Sequence, residues 1–489
     1  MKSKKKFCGI MIVCVLVVGV GLFVLNIPPL SQQLAASGEL GDEKEWLDNA
    51  YRYEKNGWIF VHIEGSPYER GFQHGYLLAD EIQESLRVIK YMTKWETGED
   101  FEFFVEAADK MFTPKIDEEF ISEIKGIAAG TSEAGVEITY QELIAWNGFA
   151  ELLGYWWPEV KGEEPRNKDK CSALIATGNV TKDGEIVMTH NSWDGYAIGD
   201  SFNIILDIKP EEGHRILMQS LPGFIHSGTD FFVTDAGLIG TETTIGGYSG
   251  FNSTKLPEFF RARKAMQYAE TIDEWAEIMK KDNNGAYANS WLLGDVNTGE
   301  IARFELGLKY SSLEKTSDGY FAGFNAATDL KIRNQECANP SDYSDIRKPT
   351  GSRRVRWKQL VNQYYGEIDT EIAKKMIADH YDVYLNKEAP CSRSICGHYD
   401  LDPMEFWPER LPFNPQGAVD GKVIDSKMAK QMSFWARWGS SCGTPFDAHR
   451  FLEEHPQFDW LEGYVKDRPT QPWTVFSVDY PLSEGTQTF

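Results

Sequence analysis

Cys171 is the residue whose type and position best suit chemistry in this sequence. It follows residues 158–170, a stretch with two prolines and eight charged side chains, and it opens a β-rich run over 171–180. A thiol needs a nearby base before it attacks a carbonyl carbon well at neutral pH. Cleavage of the Lys170–Cys171 bond would supply that base, because a new α-amino group has a pKa of about 7.7–8.0. The alternative is a small buried hydrophobic residue, as most cysteines outside disulfides are.

The elements that must position Cys171 are predicted from hydrophobic patterning. Before residue 158, apolar residues recur at helical spacing, most clearly over 78–92. After Cys171, short β-rich runs are separated by Asp-Gly and Glu-Gly pairs typical of hairpins, and a helical stretch over 256–281 interrupts them. From Arg353 to the end, helices and loops are expected to dominate. Antiparallel strands with helices grouped before, between and after them indicate a layered α+β fold.

The lysine-rich start and the apolar segment after it predict that the protein is exported. Residues 7–27 carry no charge and follow a lysine-rich start, and a helix of that length crosses a bilayer core of about 30 Å. We interpret 1–27 as an uncleaved signal-anchor, with a cleaved signal peptide as the rival, and 28–56 as a polar stalk or linker. The positive-inside rule keeps the lysines inside, so the protein is expected to face outside the membrane, or to be secreted if the segment is cleaved.

Charge and motif content exclude several classes of protein. The chain has 50 basic and 74 acidic side chains, a net charge of −24, and no basic stripe, so nucleic acid is not an expected partner. No phosphate-binding loop, no G-x-G-x-x-G after a strand and no H-E-x-x-H spacing occurs. We therefore expect no cofactor and no catalytic metal.

The cysteines are compatible with an oxidising compartment. Two of the seven lie in the apolar segment, which leaves five. We predict a local disulfide between Cys391 and Cys396 rather than a zinc site, because zinc knuckles use paired Cys-x-x-Cys motifs and this is a lone Cys-x4-Cys. A pairing of Cys337 with Cys442 is only what remains after that assumption, and it leaves Cys171 unpaired.

A series of ordered motifs resembles the phospholipase B-like family of N-terminal nucleophile hydrolases. The resemblance covers roughly 165–465. The motifs are KCSALI at 170–175, HNSW at 190–193, SLPG at 220–223, AGL at 236–238, ETT at 242–244, NNGAYANSW at 283–291, PCSRSIC at 390–396 and GAVDGKV at 417–423.

This resemblance implies a four-layer αββα sandwich and autocleavage before Cys171. It implies that Cys171 is the nucleophile, that its α-amino group is the base, and that His190 and Asn191 stand at the end of the second strand beside it. Asn289 would donate to the oxyanion, a contribution of about 3–4 kcal/mol in such sites. The expected pocket residues are Trp193, Thr243 and Trp291.

The resemblance also divides the chain. We expect a helical N-terminal part over 57–157, an exposed linker over 158–170 that ends at the cleavage site, and a β-rich catalytic chain over 171–489 with a helix-and-loop C-terminal extension. Upstream, GSPYERGFQHGYLLADEI at 65–82 resembles acyltransferases of the penicillin-acyltransferase and acid-ceramidase kind. The alternative for that stretch is a helix start whose small residues allow close packing.

The expected activity is hydrolysis of phospholipid acyl esters. The alternatives are an amidase or acyltransferase that acts on N-acyl compounds or peptides, and a non-catalytic, membrane-anchored binding protein. The partner would be a lipid or N-acyl small molecule. The sequence assigns no oligomeric state.

Overall fold

The computed structural model describes residues 43–162, 171–404, 411–479 and 487–488. The predicted membrane segment over 1–27, most of the predicted stalk and the Lys170 side of the predicted cleavage site lie outside these residues. Among the described residues, no helix combines the length and apolar character needed to span a bilayer.

Strands occupy much of the chain on both sides of Cys171. In chain order they are β1 (Tyr51–Lys55), β2 (Trp58–Gly65), β3 (Cys171–Gly178), β4 (Gly184–Gly195), β5 (Ile204–Pro210), β6 (Ile216–Ser220), β7 (Phe231–Thr234), β8 (Leu238–Thr244), β9 (Asn289–Asp295), β10 (Glu300–Leu306), β11 (Ser311–Thr316), β12 (Gly319–Gly323), β13 (Tyr381–Asp382), β14 (Lys387–Glu388), β15 (Gln416–Ala418), β16 (Asp420–Asp425), β17 (Ser433–Trp438), β18 (Thr474–Ser477) and β19 (Gln487–Thr488).

Helices precede, interrupt and follow these strands. The α-helices are α1 (Glu43–Trp46), α2 (Pro67–Leu77), α3 (Ala79–Thr97), α4 (Phe101–Met111), α5 (Glu118–Glu133), α6 (Tyr140–Asn147), α7 (Phe149–Glu151), α8 (Trp157–Lys161), α9 (Tyr196–Gly199), α10 (Glu258–Tyr268), α11 (Ile272–Lys280), α12 (Leu330–Gln335), α13 (Pro349–Gln363), α14 (Thr370–Ile377), α15 (Ser426–Lys430) and α16 (Ala448–Glu454). Short 3-10 turns cover Leu47–Asn49, Thr113–Lys115, Pro340–Tyr343 and Pro456–Leu461, and a π-helical turn covers Leu152–Trp156.

Two large sheets organise the fold, which is a mixed α+β architecture as predicted. One has ten strands in the order β11-β10-β9-β8-β7-β6-β5-β2-β1-β19, all antiparallel neighbours except the parallel pair β2 and β5. The other runs β12-β3-β4-β16-β17-β18, with β15 also paired to β4. The hairpins β3–β4, β5–β6 and β7–β8 turn at the Asp-Gly, Glu-Gly and Asp-Ala-Gly sequences, as their turn chemistry predicts.

The two sheets contact each other through strands from the middle part of the sequence. Strands β3 and β12 contact β8, β9 and β10 of the larger sheet. The approach is close at Gly294 of β9, where an added Cβ would stand 3.0 Å from the Ile239 side chain and 3.1 Å from that of Ile175 on β3. On the opposite face of β3, Leu174 belongs to a second apolar cluster with Trp357 of α13. Strand β3 is therefore buried on both faces.

Three predicted boundaries differ from the structure. Residues of the predicted stalk form β1, which pairs with β2 and β19. The predicted linker begins inside α8, where Pro158 is buried, and its residues 163–170 lie outside the described part of the chain. The region after Arg353, predicted as helices and loops, contributes four strands to the smaller sheet, β15 to β18.

The glycines of the upstream motif serve helix packing. Helix α2 begins where Ser66 N donates to Glu69 Oε2 at 3.2 Å. A Cβ added at Gly71 or Gly75 of α2 would stand 2.0 Å from a backbone carbonyl oxygen of α5. Gly126 and Gly130 of α5 are equally close to the backbone of α2. The close-packing alternative therefore accounts for this motif.

Gly75→Ala is expected to lower the free energy of unfolding by about 3 kcal/mol, since the two helix backbones must separate to admit a methyl group. The better helix propensity of alanine, about 1 kcal/mol, does not offset this cost. Urea denaturation measures the difference. Gly195→Ala is the matched control, because no atom lies within 4 Å of its added Cβ and its φ of −59° is ordinary. Equal stability of the two variants would contradict the prediction.

A buried ionic network joins the N-terminal helices to the second half of the chain. Glu123 of α5 accepts from Arg70 Nε of α2 at 2.7 Å and from Arg263 of α10 at 2.8 and 3.1 Å. The side chains of all three residues are at most 1% exposed. Burial raises the pKa of Glu123, and the two guanidinium groups lower it by more, so that its pKa lies below the ordinary value.

Candidate active site

Cys171 is the first residue of β3, the strand between β12 and β4. It pairs with Ser192 of β4, and its side chain is buried. This position at the start of an interior strand, directly after residues 163–170, is the one that the sequence predicts.

Two side chains hold the backbone of Cys171. Cys171 N donates to Asn325 Oδ1 at 3.1 Å, and Arg353 Nη1 donates to Cys171 O. Arg353 also donates to Asn325 Oδ1 at 2.8 Å and to Ser172 Oγ at 3.1 Å. Both the amide nitrogen and the carbonyl oxygen of Cys171 are thus fixed by buried side chains. We call Asn325 and Arg353 the Cys171 clamp.

The Cys171 clamp is itself supported. Asn325 follows β12 with a φ of 63°, a left-handed conformation that asparagine tolerates better than most residues, and its Nδ2 donates to Thr244 O at 2.8 Å. The Arg353 guanidinium lies 4.2 Å from the centre of the Trp193 ring, a cation–π contact. Strands β8, β4 and β12 therefore all contribute to holding the start of β3.

A cavity lies beside Cys171. Besides Cys171 and Trp193, its lining includes the polar residues Asn147, Glu151, Ser192, Asp194, His226, Thr229, Glu242, Glu258 and Tyr287. It adjoins an open groove of about 370 Å³, with which it shares Phe149, Ala150, Asp194 and Tyr287. The apolar part of the groove includes Ile89, Met92, Leu153 and Trp460. A small cavity at the thiol, with both polar and apolar walls, therefore adjoins a larger groove that has an apolar part.

Burial shifts the pKa values of several ionisable groups around the cavity toward their neutral forms. Burial raises the pKa of Asp230 to about 7, and burial together with Asp230 raises that of Glu242 well above its ordinary value. Tyr287 Oη donates to Glu242 Oε1 at 3.2 Å. Burial lowers the pKa of His226 to about 3, so this ring is neutral near pH 7. The carboxyl groups of Glu242 and Glu258, whose pKa values burial raises well above their ordinary values, and the ring of His226 are therefore neutral near pH 7.

Asn191 holds structure rather than facing the cavity. Its Oδ1 accepts from Ser172 N at 3.0 Å and from Trp193 Nε1 at 2.9 Å. Its Nδ2 donates to Ile395 O at 3.1 Å and to Ser441 Oγ at 3.2 Å. With its amide engaged on both sides, Asn191 is a positioning residue, and the predicted place in the chemistry is corrected to that role.

The ring of His190 makes no hydrogen bond to Cys171. His190 pairs with Ala173, its ring nitrogens have no hydrogen-bond partner among the described residues, and it stacks on Phe231 at 6.4 Å. Burial, and after it Lys422, lowers the pKa of His190 well below its ordinary value, so it is a neutral ring.

The other predicted residues are Asn289, Thr243 and Trp291, which are not among the residues that line the cavity. Asn289 begins β9 opposite Thr244, and both of its side-chain amide atoms are buried without a partner among the described residues. Thr243 is buried where β8 approaches Gly323. Trp291 packs edge-on against Trp275 at 4.7 Å, so it is a core residue and not a pocket residue.

The disulfide predictions are wrong. The five cysteines of the described ranges, Cys171, Cys337, Cys391, Cys396 and Cys442, form no disulfide. Cys391 Sγ donates to Asp382 Oδ2 at 3.5 Å, and Cys337 lies in an apolar cluster with Tyr248. Cys396 and Cys442 come together instead, beside two histidines.

Part of this chain matches a known protein family. The family model described as Phospholipase B matches residues 123–309, a segment that runs from α5 through β10 and contains Cys171. The Cys171 clamp lies beyond that segment.

The relatives are consistent with the family model. The chain is 24% identical to an uncharacterized protein of Archaeoglobus fulgidus, over 72% of this chain and 63% of that protein. It is 30% identical to putative phospholipase B-like 2 of Mus musculus over 59% and 54%, and 27% identical to phospholipase B-like 1 of Homo sapiens over 54% and 51%. The chain thus spans about half to two thirds of the length of these relatives. The predicted resemblance to the phospholipase B-like family is confirmed by the family model and these relatives.

Proposed function

We propose that this chain is a cysteine N-terminal nucleophile hydrolase, matured by cleavage of the Lys170–Cys171 bond, that releases fatty acids from phospholipid esters. The observation that carries the proposal is the Cys171 clamp, which fixes the backbone nitrogen and oxygen of one cysteine beside a cavity. An ordinary buried cysteine has no need of a buried asparagine and arginine on its backbone. The names of the relatives, phospholipase B and phospholipase B-like, support a lipid substrate.

The packing of the two sheets and of the helices on them supports the proposal. We propose that the two sheets form the inner layers of an αββα sandwich. Contacts between β3 and β8 to β10 support the inner pair, and the packing of α13 and α14 on the outer face of β3 supports one outer layer. In this arrangement, the nucleophile occupies the start of a strand that cannot move without disrupting both faces.

Maturation would use the same thiol. In the proposed step, Cys171 Sγ adds to the carbonyl carbon of Lys170, the carbon–nitrogen bond breaks, and the nitrogen of Cys171 takes up the thiol proton. Water then hydrolyses the resulting thioester, which releases the Lys170 carboxylate and restores the thiol. The new α-amino group lies where Asn325 Oδ1 accepts a hydrogen bond.

Turnover would follow from that product. The α-amino group accepts the thiol proton, Sγ attacks the acyl carbonyl carbon, and the alcohol leaves with the proton returned to it. Water then hydrolyses the acyl-enzyme. We propose Asn289 as an oxyanion donor, because a buried amide without a partner among the described residues is costly unless a ligand satisfies it.

The substrate assignment depends on the groove. Its apolar residues, among them Met92 and Leu153, suit an acyl chain that extends from a carbonyl group at Cys171. The acyl chain is therefore expected to lie in the groove, with its ester group in the cavity beside Cys171.

Intact mass and N-terminal sequencing of the purified protein, followed by a substrate panel, test the proposal. We expect a chain that begins Cys-Ser-Ala-Leu-Ile and fatty-acid release from diacyl and lysophospholipids. Release from N-acyl amides alone would replace the ester assignment with an amidase. A single uncut chain without activity on either class would overturn the proposal.

Asn325→Gly is expected to lower kcat/KM by about 10²-fold, since the amine loses its acceptor while glycine keeps the left-handed backbone. Asn325→Asp restores an acceptor and adds a negative charge, which raises the pKa of the α-amino group. We therefore expect its acid limb in the pH profile of kcat/KM to move to higher pH. If the acid limb of the kcat/KM profile were the same in Asn325→Asp as in the wild type, the role of Asn325 would be structural only.

Export is the second part of the proposal. We propose that 1–27 anchors the chain and that the residues from 28 onward lie outside, where they contact lipid. Protease added to intact cells is expected to digest the protein, and full protection in intact but not lysed cells would contradict this orientation.

A further inference from the structure

Four metal-ligating side chains from three separate segments converge outside the cavity at Cys171. His380 follows α14, Cys396 and His398 lie in the loop before β15, and Cys442 follows β17. One ligand atom of each residue lies within 4.8 Å of the others. Cys396 and His398 are buried, and His380 and Cys442 are partly buried. We call these four residues the Cys2His2 cluster.

The distances within the Cys2His2 cluster fit a tetrahedral metal. Metal bonds of about 2.3 Å to sulfur and 2.0–2.1 Å to nitrogen, at a tetrahedral angle, separate sulfur and nitrogen by about 3.6 Å. His398 Nε2 lies 3.5 Å from Cys396 Sγ and 3.4 Å from Cys442 Sγ. His380 Nε2 is buried and has no hydrogen-bond partner among the described residues. This ring nitrogen is therefore available as the fourth ligand.

Groups around the Cys2His2 cluster suit bound metal as well. The other ring nitrogen of His398, Nδ1, lies 3.4 Å from Asp400 Oδ1, the carboxylate contact that commonly orients a metal-bound imidazole. Thr444 N donates to Cys442 Sγ at 3.3 Å, and Ser440 Oγ lies 3.2 Å from the same sulfur. Donors of this kind stabilise a thiolate.

We propose that His380, Cys396, His398 and Cys442 bind one zinc ion. Two sulfur and two imidazole ligands suit zinc and do not suit calcium or magnesium, which take oxygen ligands. Four protein ligands complete the tetrahedron and leave no position for water or substrate, so the ion is structural. This inference does not depend on the proposed function, because the site would hold metal whether or not Cys171 is a nucleophile.

The zinc would stabilise the loops that pack against Asn191 and Trp193, next to the candidate active site. Ile395 O and Ser441 Oγ, each next to a cysteine ligand, both accept from Asn191 Nδ2. Trp193 packs in one apolar cluster with Cys396 and Cys442. Metal binding would therefore fix the loops that hold Asn191, and through it the amide of Ser172 beside the nucleophile.

Metal analysis of the purified full chain tests the site. We expect about one zinc per chain by mass spectrometry, and cobalt exchanged into the site should give a thiolate-to-cobalt charge-transfer band. Cys442→Ser and His380→Ala are expected to lose the metal. Cys391→Ser and Cys337→Ser are matched controls that should keep it, since neither residue belongs to the cluster.

A second measurement does not rely on variants that fold. A mercurial reagent that blocks thiols should release zinc from the wild-type chain, and a zinc-sensitive dye detects it. Two results would overturn the proposal. One is a wild-type chain that keeps no zinc after loading and dialysis, and the other is a Cys396–Cys442 disulfide found by peptide mapping of unreduced protein.

Discussion

Cys171→Ala is expected to abolish both chain cleavage and fatty-acid release. The variant keeps the backbone atoms that the Cys171 clamp holds, because Cys171 N and Cys171 O do not change. It removes the one atom that forms the bond to the acyl carbon. Loss of a nucleophile of this kind lowers kcat/KM by at least about 10⁴-fold. Mass spectrometry and fatty-acid release measure the two effects separately.

Cys337→Ala is the matched control for this prediction. Burial, and after it Glu336, raises the pKa of the Cys337 thiol to about 12, so this cysteine is inert near neutral pH. Cys337 is not among the residues that line the cavity beside Cys171, so cleavage and turnover should match the wild type. A Cys171→Ala chain that is still cut and active would place the nucleophile elsewhere.

Glu123→Gln is expected to lower the free energy of unfolding by about 3–5 kcal/mol. The substitution leaves two buried guanidinium groups, those of Arg70 and Arg263, without the carboxylate between them. Urea denaturation measures the loss. Glu118→Gln on the same helix is the control, because its carboxylate is 86% exposed and its ion pair with Lys125 is 3.8 Å long. Equal stability of both variants would show that the network contributes little.

The pH dependence of this effect has a fixed sign. The pKa of Glu123 is lower in the folded chain than its ordinary value. Its contribution is therefore fully present above the unfolded carboxyl pKa of about 4.3 and is lost as pH falls toward the folded value. The stability difference between wild type and Glu123→Gln should shrink below about pH 4. A constant difference down to acid unfolding would contradict the lowered pKa.

Local signals in the sequence predicted the strands around Cys171 but not those near the C-terminus. The hairpin that joins β3 to β4 has its turn residues and apolar alternation within one short stretch. Strand β16 carries Asp420 and Lys422, which pair at 2.9 Å and are fully buried. Two charged residues in so short a segment remove the apolar pattern that would predict a buried strand. Their burial is possible only because the folded chain pairs the two charges.

The same limit applies to the site. Cys171 was predicted because a charged stretch ends where a strand begins, which is local information. Asn325 and Arg353 stand 154 and 182 residues from Cys171 and lie outside the segment that the family model matches. The ligands of the Cys2His2 cluster are similarly dispersed, and a prediction based on closely spaced cysteines paired Cys396 with the wrong neighbour. Tertiary contacts, and not spacing, define these partners.

The strand order of the larger sheet has a consequence for a processed protein. Strands β1 and β2 precede Cys171, yet they lie between β5 and β19, which follow it. A cut before Cys171 would thus yield two chains that share one sheet and are held together by non-covalent contacts alone. The uncut chain refolds in a unimolecular reaction, whereas the two pieces would have to find each other, at a rate that falls on dilution. Cleavage would make folding a one-time event, so the fold must form before the bond is cut.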